Sequence, residues 1–397
     1  MTSRLTGTEI EAQLDSLYKT LPTSCKKLKS DSMPIMSSFS SSWGHLVVLF
    51  LSLSFLNIAS ALPTSSSSAS IRPFLLPPPK QMIGKRSSSQ PSIRPYLLPP
   101  PKQLISKRSE AETFLPRLDV NFPDPCLLHD DDGRWVSFAT SGNGHHIQMA
   151  VSNDPFGQWT HLDQDALPGD GWTSGKNFWA PDVRKLGDDS YVMYFSGQNP
   201  GGGHCIGVAR SKNSTGPYEI DPKPFACPKD EGGAIDPAGF YDKSTNKRYV
   251  VYKVDGNALK GGAGTPIRLQ EVSTEDGSTP IGAPVDIMDR VPEEDGPLVE
   301  APNLVHTPDG KYLLFFSSHM YTDDAYDVKY AVADQVQGPY HRGDAPFLKT
   351  PALGLKGPGG GTSAEDEGFL VFHAWCGKGK RCMYTIGYDV ASVEDFA

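Results

Sequence analysis

Three carboxylic acids in this 397-residue chain stand one or two positions before proline in phrases that resemble one another: Asp124 in Phe122-Pro123-Asp124-Pro125, Asp236 in Ala234-Ile235-Asp236-Pro237, and Glu300 in Val299-Glu300-Ala301-Pro302. Inverting hydrolysis of a glycosidic bond needs such acids: a carboxylate to activate water, and a carboxylic acid on the opposite face to protonate the leaving oxygen, roughly 6.5 to 9.5 Å away. Asp124 has no basic neighbour in sequence and is the candidate base. Glu300 sits in the apolar phrase Leu298 to Pro302, where desolvation would raise its pKa as a general acid requires. Asp236 would supply the nearby negative charge that holds the proton on that acid and orients it. A lone Asp-Pro usually does no more than start a turn; three acids in register with a repeat favour chemistry.

The repeat supplies the elements that must position them. An acid or Ala, then Pro and an apolar run, begins at 124, 180, 236 and 301, with a weaker copy at about Gly359. Each copy reads as an apolar strand, a polar turn and a second alternating strand, which is a hairpin. A second phrase keeps the same period, at 151–159, 209–218, 271–280 and 331–340. Four short strands per unit and five units predict an all-β chain folded as a five-bladed β-propeller, over 113–397. The first strand of each blade lines the axis, so Asp124, Asp182, Asp236 and Glu300 are expected to converge there.

Two segments precede this body. Residues 1–61 form an N-terminal extension ending in a secretion signal: the 13-residue run Leu46 to Ile58 is too short to span a bilayer comfortably, and Ala59-Ser60-Ala61 suits signal peptidase. Secretion is therefore expected, the alternative being an uncleaved signal anchor tethering the chain to a membrane. Translation starting at Met33 or Met36 would shorten the leader. Residues 62–112 are a Pro-rich pro-segment without a core, in which SIRPFLLPPPKQMIGKR and SIRPYLLPPPKQLISKR are near duplicates ending in Lys85-Arg86 and Lys107-Arg108. The dibasic pairs resemble sites cut by kexin-type processing proteases, so either a propeptide is removed or the repeats are themselves secreted peptides.

Residues 1–108 hold 13 basic and 4 acidic side chains, which leaves 24 and 42 for the rest of the chain, a formal charge of −18. So acidic a body is a poor partner for nucleic acid. Cys205 with Cys227 and Cys376 with Cys382 are expected to pair, as suits an exported protein, with Cys126 a small, free core residue. Cys25 lies upstream of the expected leader cleavage.

In this order and at these spacings, FPDP, FWAPDV at 178–183, AIDPAGF at 234–240 and VEAPNL at 299–304 resemble glycoside hydrolase family 43, over essentially all of 113–397. The resemblance implies a five-bladed propeller and an inverting mechanism, with Asp124 the general base, Asp236 the pKa modulator and Glu300 the general acid. Trp179 is a candidate for stacking on a sugar face, or for packing between blades; Asp182 matches a family position and suits a backbone brace better than chemistry. The resemblance also makes His373 the fifth-blade histidine that in many members binds a hydrated calcium or other ion at the axis, the alternative being an axial core histidine, and Gly359 to Ser363 stands where relatives carry a further His. No cofactor is needed for the chemistry.

The implied partners are plant cell-wall polysaccharides containing arabinose or xylose, with arabinan favoured over a β-xylosidase reading, and the processing protease; a monomer is expected. The Gly-rich loops 199–204 and 261–264 are candidates for shaping the rim. Two other readings stand beside this one: a propeller that binds carbohydrate without cleaving it, and a precursor whose main product is the duplicated peptide.

Overall fold

The computed structural model describes residues 92–96, 114–363 and 368–391, with backbone alone at 92–96 and 391. The leader, the first copy of the duplication and both dibasic pairs lie outside the described residues. Among the described residues no helix is long and apolar enough to cross a membrane.

Among the described residues twenty strands make five four-stranded antiparallel sheets, as the repeat predicts. Blade one holds β2 (Leu128–His129), β3 (Trp135–Ala139), β4 (Gln148–Ser152) and β5 (Thr160–Leu162). Blade two holds β6 (Trp179–Lys185), β7 (Tyr191–Gln198), β8 (His204–Ser211) and β9 (Glu219–Ile220). Blade three holds β10 (Ala234–Asp242), β11 (Lys247–Val254), β12 (Ile267–Val272) and β13 (Val285–Met288). Blade four holds β14 (Val299–His306), β15 (Tyr312–Ser318), β16 (Asp327–Ala333) and β17 (His341–Arg342). Blade five holds β18 (Gly359–Ser363), β19 (Phe369–Gly377) and β20 (Lys380–Ala391), and its outermost strand is β1 (Ser92–Tyr96).

That last strand comes from the duplicated segment: Ser92–Tyr96 pairs antiparallel along β20. The end of β20 offers an edge with free donors and acceptors, which strand pairing satisfies. Pro95 lacks an amide hydrogen, and an outermost strand is where a proline is tolerated within a sheet.

Five apolar cores lie one at each junction between blades. Phe138 and Met149 of blade one meet Val183 and Met193 of blade two, while Val192 and Tyr194 of blade two meet Val250 and Tyr252 of blade three. Val251 and Leu269 pack on Leu314 and Phe316, and Phe315 and Val328 on Phe372 and Tyr384. The fifth core joins Trp135 and Ala150 to Phe369 and Met383, so that blade five closes on blade one. Burying each such side chain contributes about 1.5–3 kcal/mol, and because the cores lie between blades rather than within them, the ring stabilises as a ring. The expected disulfides Cys205–Cys227 and Cys376–Cys382 are both formed, and Cys126 is buried and free.

Candidate active site

The repeated phrase has one conformational signature. Asp124, Ala180, Asp236, Ala301 and Gly360 all have left-handed backbone, with φ of 55°, 41°, 55°, 50° and 61°. In blades two to five the pairing of the first two strands slips at this point. This is a β-bulge next to the axis, the kind of irregularity that re-aims a side chain. Left-handed backbone is costly for non-glycine residues, and each of these five amides is captured by a side chain from the preceding blade. Ala180 N donates to Thr140 Oγ1 (2.9 Å), Asp236 N to Ser196 Oγ (2.9 Å), Ala301 N to Asp236 Oδ2 (3.0 Å), Gly360 N to Ser317 Oγ (3.0 Å) and Asp124 N to His373 Nδ1 (3.0 Å). A closed circle of hydrogen bonds thus runs round the axis.

Inside that circle a pocket is lined by Asp124, Asp182, Asp236, Ala301 and Gly360, among others. Asp124 accepts a hydrogen bond from Thr140 Oγ1 (2.5 Å), and its Oδ1 lies 3.5 Å from Arg381 Nη1. Burial alone would raise its pKa, but the Arg381 guanidinium, His373 and the Thr140 hydroxyl together hold it below the ordinary carboxylate range. Asp236 is pushed the other way, well above that range, first by desolvation and then by the charge of Glu300.

Glu300 is 8% exposed and has both oxygens engaged: Oε2 accepts from Lys253 Nζ at 3.0 Å and Oε1 from Tyr326 Oη at 2.9 Å. Lys253 is 1% exposed and also lies 3.1 Å from Asp255 Oδ1. Burial opposes its charge, but Glu300, Asp255 and Asp236 outweigh it and keep the ammonium protonated. Tyr326 stacks on His373 with ring centroids 5.8 Å apart, and burial followed by the charges of Glu300, Asp124 and Asp236 holds its hydroxyl protonated.

Of the other residues singled out in the sequence, Asp182 lines the same pocket with its carboxylate already engaged. Its carboxylate takes a bidentate pair from Arg184 (2.8 and 3.0 Å), and Oδ2 also accepts from Gly239 N of blade three (2.7 Å). It braces two blades. Trp179 stacks on the His204 ring at 3.7 Å between centroids, so one face is already covered and a sugar has only the remaining face and edge. His373 is fully buried, its Nδ1 accepts from Asp124 N, and its Nε2 lies 3.3 Å from Arg381 Nη1. Desolvation and then the Arg381 charge push its pKa down to about 3, so the ring is neutral. A ring nitrogen facing a guanidinium does not fit a cation ligand, and among the described residues the group close enough to gather round an ion is Asp119 with the disulfide-bonded Cys376 and Cys382, whose sulfurs are not thiolates. The arrangement does not fit a bound calcium at His373.

Lys253, Tyr326, Arg381 and Thr140 were not singled out in the sequence. A signal for two of them exists: Thr140, Ser196 and Ser317 each stand 16 positions after their bulge residue, and Lys253 stands 17 after Asp236. Register confirms the equivalence, since Ser196 pairs with Trp179, Lys253 with Ile235 and Ser317 with Glu300. Arg381 and Tyr326 lie outside the repeated phrase and leave no such trace.

Comparison with known proteins gives the context of this geometry. The family described as Glycosyl hydrolases family 43 matches residues 115–388. Curated relatives include a probable arabinan endo-1,5-alpha-L-arabinosidase C of Aspergillus oryzae, 44% identical over 94 residues (22% of this chain, 28% of the relative). An extracellular endo-alpha-(1->5)-L-arabinanase 2 of Bacillus subtilis is 25% identical over 275 residues, which cover 61% of this chain and 53% of the relative. The chain thus spans between about a quarter and a half of the length of these relatives. Among solved structures, a thermostable family-43 glycoside hydrolase superposes with a TM-score of 0.59 at 24% identity, covering 68% of this chain and 89% of the other. An endo-arabinase from Bacteroides thetaiotaomicron superposes with a TM-score of 0.58 at 18% identity, covering 71% and 99%. At these identities the structural likeness speaks for the fold.

Proposed function

This chain belongs to glycosyl hydrolase family 43, and from that premise we propose that it is a glycosidase that cleaves arabinan with inversion of configuration. The reading is carried by two carboxyl groups in one pocket whose surroundings pull opposite ways: Asp124 is drawn below the ordinary carboxylate range and Asp236 pushed well above it. Pairs of acids whose surroundings drive their pKa values apart are what acid and base roles require.

In this mechanism the Asp124 carboxylate, anchored by Thr140 and Arg381, takes a proton from water as it attacks the anomeric carbon. Glu300 delivers a proton to the leaving oxygen. Lys253 and Tyr326 fix the Glu300 carboxyl in place, and Asp236 holds the next bulge through Ala301 N. No ion takes part. Arabinan is favoured because the curated relatives carry arabinanase names. Secretion is supported by the leader-like run at 46–58, by two formed disulfides and by the extracellular designation of the Bacillus relative.

The test is turnover of linear arabinan, an aryl arabinofuranoside and an aryl xyloside by the parent, Asp124→Asn and Glu300→Gln. Loss of arabinan cleavage by at least a hundredfold in both folded variants is the expected result. Cleavage of the xyloside alone would move the substrate to xylan, and binding without cleavage by the parent would make the chain a carbohydrate-binding propeller.

A further inference from the structure

Blades one to four take their outermost strand from the chain that follows their third strand, as β5, β9, β13 and β17. Blade five takes β1, from the second copy of the duplicated segment. The register is Ser92 with Ala391, Ile93 with Val390, Arg94 with Asp389, Pro95 with Tyr388 and Tyr96 with Gly387. Pairing of β20 with β19 ends at Gly387 with Phe369. Residues Asp389 to Ala391 therefore have β1 as their only strand partner among the described residues. An extended peptide held along a sheet edge by main-chain hydrogen bonds is β-strand addition. Arg94 and Asp389, opposite in charge, share a register position, and Pro95 marks β1 as a terminal strand.

The sequence adds that Lys107-Arg108 lies between β1 and the first described residue of the propeller body, Phe114, and that the first copy, Ser70-Ile71-Arg72-Pro73-Phe74, differs from Ser92-Ile93-Arg94-Pro95-Tyr96 only in its last ring. We propose that the outer edge of blade five is a peptide-binding site for this repeated segment. When a dibasic endoprotease hydrolyses the Arg108–Ser109 bond, water giving hydroxyl to the carbonyl carbon and a proton to the new amine, the fragment ending at Arg108 stays seated as a non-covalent fourth strand. The first copy is an interchangeable occupant of the same edge. Cleavage and release are thereby separate events, and this holds whether or not the propeller is catalytic.

The experiment cuts the full chain with a Lys-Arg-specific endoprotease and resolves the products by native gel filtration with mass spectrometry of each fraction. The fragment ending at Arg108 should co-elute with the body, a synthetic peptide of residues 70–76 should displace it, and Val390→Pro should lower the retained fraction at least tenfold. In the intact chain, Ile93→Cys with Val390→Cys should cross-link and Ile93→Cys with Tyr388→Cys should not, which reads the register even if the proline variant misfolds. Free elution of the parent fragment, resistance of Lys107-Arg108 to cleavage, or absence of the in-register cross-link would each overturn the proposal.

Discussion

Lys253 Nζ lies 3.0 Å from Glu300 Oε2, at the place in blade three that Ser196 and Ser317 occupy in blades two and four. Where those blades use a hydroxyl to hold a backbone amide, this one uses an ammonium to hold a carboxylate. Asp236 takes over the amide of Ala301, and this exchange of partners ties Asp236, Lys253 and Glu300 into one unit.

Lys253→Met should strip Glu300 of its cation and leave a buried carboxylate with only the Tyr326 hydroxyl. Breaking a buried pair by removing one partner costs about 3–5 kcal/mol. Denaturant unfolding of parent and variant at neutral pH measures it, and a loss under about 1 kcal/mol would contradict the pairing.

The acid limb of kcat/KM should report Asp124. Its folded pKa lies below the ordinary carboxylate value of about 3.9, so its ionised form persists above that range and is lost as pH falls through the depressed value. Arg381 is the strongest of the groups that depress it, against burial. In Arg381→Met the limb should move to higher pH, and a limb that stays in place would remove Asp124 from the role of base.

Asp236 has the reverse linkage. A carboxyl whose folded pKa is raised binds its proton more tightly in the native state, so stability is undiminished below about pH 3.9 and falls as pH rises toward the raised value. Asp236→Asn should flatten that fall in a series of melting curves while abolishing activity. Asn also tolerates left-handed backbone, so the variant keeps the bulge.

Much of this fold was legible because its regularities are local. Hairpins announce themselves by alternation and polar turns, and the spacing of 124, 180, 236 and 301 carries the blade count. Asp124, Asp236 and Glu300 were visible because they stand in the repeated phrase. Lys253 was hidden, since lysine within Val250-Val251-Tyr252-Lys253-Val254 reads as a strand's solvent face until the repeats are set in register. Arg381 approaches Asp124 across the closure of the ring, 257 positions along the chain (381 − 124), which no local pattern records. Strand β1 left no signal of pairing, since Pro95 suits an extended chain as well as an outermost strand.

Gly359 and Gly360 give a steric prediction. A Cβ on Gly359 would fall 1.9 Å from Tyr326 Cε1, and one on Gly360, at φ 61°, 2.8 Å from His373 Nδ1. Gly359→Ala should displace Tyr326 and lower stability by about 1–3 kcal/mol together with activity. Gly169→Ala, with nothing within 4 Å, is the control expected to melt like the parent.

The Cys205–Cys227 bridge has a sequence separation of 22, and loop-closure entropy gives such a cross-link about 3 kcal/mol. Cys205→Ser with Cys227→Ser should lower the unfolding free energy by roughly that amount; an unchanged denaturation midpoint would contradict it.

The left-handed bulge residues carry a consequence for how this molecule can change. Three of the five, Ala180, Ala301 and Gly360, bear no functional group, yet the backbones of the two alanines already have the conformation of Asp124 and Asp236, and their amides are already held. The funnel is thus a ring of equivalent addresses, some of them blank. Writing Asp or Asn at a blank address introduces a new polar group beside the axis without rebuilding any strand, since both residues accept left-handed backbone. The scaffold therefore separates where a group stands from what the group is, and a new specificity can arise by single substitutions.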